Sequence, residues 1–207
     1  MNMKSRRVRI LWSSLLFLLA VAVGAGCSKP PSPKTQVASM IAAHNRHDVT
    51  GQMAFFADDA SFVMAEQTPV TGKAAIREVF RADSVMKSEL VYEGFTVHGD
   101  TVIVESVIER NDLLRLLGLP EVHYLPGTRL VFAKGLIQRL ETTRLDQKEW
   151  REMRDNFSAL MTWLQKAHPE LTREVGSGRL SHNNAESADG WLKLAGEWRE
   201  SEAKKEK

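Results

Sequence analysis

The spacing of apolar residues changes period once along this chain, and that change limits the folds open to it. Val37, Met40, Ile41 and His44 recur at steps of three and four, which places an amphipathic helix over residues 35–47. Asp48 is a good N-cap for a short second helix carrying Met53, Phe55 and Phe56. Asp58-Asp59 predicts a turn into a strand from Ala60 to Ala65, and Pro69 and Gly72 bracket another turn. Lys73 to Met86 reads as a third helix, with Ile76, Val79 and Phe80 on one face. From there the period falls to two. Strands are expected at 89–98, 101–110, 121–133 and 136–145, with turns at Gly99-Asp100 and Lys134-Gly135. Three helices followed by a curled antiparallel sheet make an α+β domain over residues 35–146.

The segment before the domain reads as an export leader. Residues 1–9 hold Lys4, Arg6, Arg7 and Arg9, and Ile10 to Ala25 is almost wholly apolar. Those 16 residues are fewer than the roughly 20 that span a bilayer as a helix, so a signal peptide over residues 1–26 is expected ahead of a permanent anchor. Without its four cations the chain has 24 basic and 26 acidic residues, a formal −2 where the whole chain has +2. The basic excess therefore belongs to the leader, and nucleic-acid binding is not expected.

Val23-Gly24-Ala25-Gly26-Cys27 resembles a bacterial lipobox, with Gly24 where an aliphatic residue is usual. The resemblance implies that Cys27, the single cysteine, is lipidated and becomes the mature N-terminus, anchoring the protein in the cell envelope. Ser28 rather than Asp after it implies the outer membrane, facing the periplasm. Cleavage after Ala22 or Ala25 by the ordinary signal peptidase is the alternative. Residues 27–34 then form a tether, in which three prolines favour stiff polyproline II.

Three runs carry a more specific likeness: HNRHDVTGQMAFFADDASF, PVTGKAAIREVF and RLVFAKGLIQRLE. In this order and spacing, over about 110 residues, they resemble the SnoaL-like branch of the nuclear transport factor 2 superfamily. The resemblance implies a cone-shaped sheet around an apolar pocket, usually in a homodimer. Alternation along the strand from Val102 puts Val104, Ser106, Ile108, Arg110 and Asp112 on one face. With Phe62, Met64, Leu140 and Thr142 these residues are the expected lining of a pocket for a small hydrophobic ligand.

Glu109-Arg110-Asn111-Asp112 resembles the Glu-Arg-x-Asp of limonene-epoxide hydrolases, which implies Asp112 as the acid and Arg110 as its orienting partner. Residues i and i+2 of a strand face the same way, so the pair can hydrogen-bond. The positions of that family's water-holding residues fall on Phe62, Met64 and near Thr142, which cannot activate water. A structural ion pair is the competing reading of Arg110 and Asp112. His44, His47, His98 and His123 show no metal-ligand spacing and read as surface or loop residues, although His98 and Tyr92 are also candidates for the pocket. No metal or cofactor motif is found.

Residues 147–207 form a helical extension. Trp150, Met153, Phe157, Leu160, Met161 and Leu164 mark one amphipathic helix ending near His168-Pro169. A loop over 172–186 and a last helix capped by Ser187, with Trp191, Leu194, Ala195 and Trp198 on one side, follow. The convex side of the domain is their expected resting place. Three readings of function follow: a tethered binder of a small hydrophobic molecule, an enzyme of the hydrolase, isomerase or cyclase type, and a non-catalytic envelope scaffold.

Overall fold

The computed structural model describes residues 31–176 and 184–205, so the leader and Cys27 lie outside the described residues. Helix α1 spans Pro33–His44. Ser32 caps it, accepting from the Thr35 N–H at 3.2 Å, and Pro33 occupies the first turn, where its missing N–H costs nothing. The expected tether therefore ends two residues early, because Pro33 and Lys34 begin the helix. Helix α2, Val49–Met53, is capped by Asp48, whose carboxylate accepts from the Gly51 N–H at 2.8 Å.

Strand β1 runs Phe56–Met64 and takes in the Asp58-Asp59 pair that sequence reads as a turn. Both acids are exposed, and the register against the neighbouring strand shifts between Phe56 and Ser61. The pair marks an irregularity within a strand rather than a reversal. Strand β2 is Val70–Thr71, helix α3 is Lys73–Val85, and strands β3 and β4 are Glu89–His98 and Thr101–Arg110. A short helix α4, Asp112–Leu116, then ends β4; the Asn111 side chain caps it by accepting from the Leu114 N–H at 2.7 Å. The expected strand 121–133 is two strands, β5 at Val122–Tyr124 and β6 at Thr128–Ala133, broken at Pro126-Gly127, where Gly127 has φ 109°. Strand β7 is Leu136–Thr142.

Among the described residues the strands form one sheet in the order β2-β1-β7-β6-β4-β3, with β5 also paired to β4. All neighbours are antiparallel except β1 and β7, which run parallel. The helices close over this curved sheet. Val37, Met40 and Ile41 of α1 and Ile76, Val79 and Phe80 of α3 meet Phe56, Phe62, Val102, Val104, Leu130 and Leu140 in one core. Phe80 stacks on Phe62 with ring centroids 5.8 Å apart.

The period-two alternation of β4 does not run its whole length. Directly opposed residues of an antiparallel pair share a face. Phe95, Val104 and Thr128 form one such row, and Tyr92, Val107 and Tyr124 form another. Both rows face the core, yet they stand three residues apart on β3 and on β4. Strict alternation would set them on opposite faces. Gly94 lies at the break with φ 67°, and a Cβ there would come within 2.6 Å of the Glu105 carboxylate. The slip carries Glu109 inward and Arg110 outward.

The extension consists of α5 (Gln147–Ala167), α6 (Pro169–Gly176) and α7 (Ala185–Lys205). Asp146 caps α5, accepting from the Lys148 and Glu149 N–H groups at 2.8 and 3.4 Å. Helix α7 starts before Ser187, which is buried inside it; its cap is Asn184, accepting from the Ser187 N–H at 2.9 Å. Part of the expected loop over 172–186 is helix α6, and residues 177–183 lie outside the described ones. Leu160 and Leu164 of α5 and Trp191, Leu194 and Trp198 of α7 build a second core with Leu114, Leu117, Leu119 and Val122. Ala188 packs on Ala82 and Met86 of α3. The extension thus rests on α3, α4 and β5, because those elements expose a matching apolar surface, and not on the convex face of the sheet. Trp150 is left exposed. No helix among the described residues is long and apolar enough to cross a membrane.

Candidate functional site

The Arg110–Asp112 pair does not form. Arg110 turns outward and donates through Nε and Nη2 to Glu121 at 2.9 and 2.7 Å. Asp112 is the first residue of α4 and not a strand residue; its carboxylate pairs with Arg115 and lies 3.5 Å from Lys87 Nζ. At a helix N-terminus a carboxylate is stabilised as the anion, which is a structural part to play. The expectation of an oriented acid at Asp112 is corrected by these two facts: the phase slip in β4, and the start of a helix where the strand was to continue.

The expected pocket lining divides. Phe62, Val104 and Leu140 are in the closed core, with Met64 packed against it. They fill the hollow of the sheet instead of bordering a cavity. Ser106, Ile108 and Thr142 are half-buried and take no part in that core. His98 is exposed at the last position of β3, whereas Tyr92 faces inward. Asp146 is the α5 cap; the Lys148 and Glu149 N–H groups hold its carboxyl below the usual range.

A different set of side chains meets inside. Glu109 of β4 accepts three hydrogen bonds: from Tyr124 Oη at 2.6 Å, Asn111 Nδ2 at 2.8 Å and Ser88 Oγ at 3.0 Å. These bonds tie the end of β4 to β5, to the cap of α4 and to the start of β3. Asp83, in the last turn of α3, lies in the same neighbourhood. Burial first, and then the Glu109 charge, push its carboxyl well above the usual carboxylate range. The carbonyl end of α3 also disfavours an anion there. Tyr92 and Tyr124 are both pushed upward, by burial and then by Glu109. The two tyrosines therefore keep their protons at neutral pH, and the ionised form of Asp83 is disfavoured.

His44 completes the cluster and corrects its reading as a surface residue. It is 3 % exposed. Burial lowers its pKa more than the Glu109 charge raises it, so the ring is neutral near pH 7. Gln52 Nε2 donates to Nδ1 at 3.2 Å, which leaves the proton on Nε2. That Nε2 leans toward the Ser88 backbone without hydrogen-bond geometry and has no partner among the described residues. The Asp83 carboxyl and the Tyr92 hydroxyl likewise make no hydrogen bond among the described residues. Three polar groups thus stand without a partner among the described residues beside one saturated carboxylate. Sequence reasoning passed over Asp83 and Glu109: neither belongs to the Arg-x-Asp motif, and alternation set Glu109 on the outer face. The signal that could have found them is the helical spacing of Ile76, Val79 and Phe80, which puts Asp83 on the inward side of α3.

The family model of the SnoaL-like domain matches residues 37–140. No curated protein matches the chain. Among solved structures, the chain is similar to a putative polyketide cyclase from Xanthomonas campestris at 20% identity, over 58% of this chain and 95% of that one, with a TM-score of 0.48. An NTF2-like protein of unknown function from Cytophaga hutchinsonii is 13% identical, over 58% and 95% of the two chains, with a TM-score of 0.46. The epoxide hydrolase/cyclase-like enzyme SalBIII of salinomycin pyran-ring formation is 17% identical, over 56% and 92%, with a TM-score of 0.49. At such identities the likeness is one of fold alone.

Proposed function

The chain belongs to the SnoaL-like domain family, and from that premise we propose that it is an envelope-tethered domain that binds a small, largely apolar molecule by an acceptor oxygen. The oxygen is held by the Asp83 carboxyl and the Tyr92 hydroxyl. One observation carries this reading: Asp83 and Tyr92, whose ionised forms burial disfavours, share a neighbourhood and make no side-chain hydrogen bond among the described residues. Both side chains are half-buried, so their polar atoms can meet an acceptor that arrives from outside, and the buried His44 Nε2 beside them has no partner among the described residues. A carbonyl or ether oxygen fits two neutral donors; a carboxylate does not fit beside Glu109. The packed hollow confines the ligand to the end of the sheet where α3, β3, β4 and β5 meet. Lipid on Cys27 holds the domain at the membrane.

The test is thermal stabilisation by a series of apolar ketones and lactones, with the matching hydrocarbons as controls. The oxygen-bearing compounds are expected to raise the melting temperature of the native protein. The rise is lost in Tyr92→Phe combined with Asp83→Leu. An equal shift from the hydrocarbons, or from the double variant, refutes the reading.

The pairing of Asp83 with Glu109 favours a second reading, in which the protonated Asp83 is a general acid for such a ligand. Turnover abolished in Asp83→Asn with binding retained separates it from simple binding.

A further inference from the structure

Outside the cluster, an open cleft of about 420 Å³ lies between α2, α3 and the start of α7. Its polar lining is Arg77, Arg81 and Ser84 from successive turns of α3, and Thr50 from α2. Val49, Val85 and Ala185 supply the apolar wall, and among the described residues no acid lines it. Arg77 and Arg81 stand four residues apart, one helical turn, so both guanidinium groups serve one face. Arg81 shares an exposed ion pair with Glu78 at 3.2 Å, while Arg77 makes no ion pair among the described residues. Ala185 opens the 21-residue helix α7, whose first turn is capped by Asn184 and carries Glu186.

We infer that this cleft is an anion site that takes a phosphate-bearing group, with Arg77 and Arg81 as its forks and the hydroxyls of Thr50 and Ser84 as further donors. Two guanidinium groups and two hydroxyls reach it from α2 and α3, which is a donor set suited to a phosphate. Arg77 and Arg81 place two cations side by side here, offset by the Glu78 that pairs with Arg81 and by Glu186 in the first turn of α7. Val49 and Val85 form an apolar wall on which the glycerol and first methylenes of a lipid headgroup could rest; free phosphate would use the donors alone.

The experiment is calorimetric titration of the full chain in nonionic detergent with inorganic phosphate and, separately, with short-chain phosphatidylglycerol. Saturable binding is expected, weakened about tenfold or more in Arg77→Gln/Arg81→Gln. The double variant Arg151→Gln/Arg154→Gln removes the same charge from exposed α5 positions and is expected to bind as the native protein does. Circular dichroism and melting temperature confirm that both variants fold. Tighter binding of the lipid than of phosphate assigns the site to a headgroup, and equal binding assigns it to a free anion. Absence of saturable binding to either probe, or equal loss in both double variants, overturns the proposal.

Discussion

Replacing Asp83 with Asn should stabilise the protein as pH rises, although it removes an acidic group from a partly accessible position. In the unfolded chain the Asp83 carboxyl titrates near 3.8, while in the folded protein burial and Glu109 push it well above that value. Above pH 3.8 the folded state therefore holds a proton that the unfolded state has released. Stability then falls with rising pH, by at most about 1.4 kcal/mol per pH unit, until the folded carboxyl ionises. For a chain of this size that slope is about 3–5 °C in melting temperature per pH unit. His44 acts in the opposite sense, since its folded pKa is lowered and its share of stability grows as pH rises toward 6.5. The two effects separate by subtraction, because His44 is common to both proteins. The assay is thermal unfolding of native and Asp83→Asn protein at half-unit steps from pH 4.5 to 7. The gap between the curves should widen steadily in favour of the variant and level off where native Asp83 ionises. Parallel curves would mean that Asp83 is an ordinary carboxylate, and the proposed donor site would go with it.

Other perturbations test separate parts of the structure. Tyr124→Phe removes the 2.6 Å bond to Glu109 and should cost about 1.5–3 kcal/mol in urea unfolding, the value of a hydrogen bond to a charged partner. Trp191→Ala empties the centre of the second core, where Trp191 is 2 % exposed, and should cost about 3–5 kcal/mol by the same assay. Cys27→Ser should move the protein from the membrane fraction to the soluble fraction after cell lysis, and unchanged membrane retention would count against lipid anchoring.

The legible part of this fold was whatever repeats over many residues. The helical spacing from Val37 to His44 and from Ile76 to Phe80, and the Gly99-Asp100 and Lys134-Gly135 turns, all place elements where the structure has them. Single-residue events were not legible. Gly94 adopts φ 67° and shifts the facing of β3 and β4, so a reading by parity carried Ser106, Ile108 and Arg110 inward when Val107 and Glu109 take that place. Asn111 stops β4 and caps α4, and nothing in a strand pattern announces a cap one residue before Asp112. His44 looked like the polar edge of an amphipathic helix; its burial depends on Gln52 and Phe80, which only tertiary contact brings to it. The candidate site was missed for the same reason, since its members come from α1, α3, β3, β4 and β5 and share no local motif.

The extension and the polar cluster are joined by one helix. Phe80 of α3 anchors in the first core, Ala82 and Met86 pack under Ala188 of α7, and Asp83 lies on the same turn as both. The position of Asp83 is thus fixed from two sides, by the sheet and by the C-terminal helices. Small residues make this close approach feasible: Ala82 and Ala188 are both essentially inaccessible, and a larger side chain at either would push α7 away from α3. Burial raises the Asp83 pKa, and the packing of α7 on Ala82 and Met86 adds to the protein mass around that turn. The extension is therefore expected to act on the candidate site through α3: without α7 the Asp83 turn should be more open to water and its raised pKa should fall toward the usual carboxylate range.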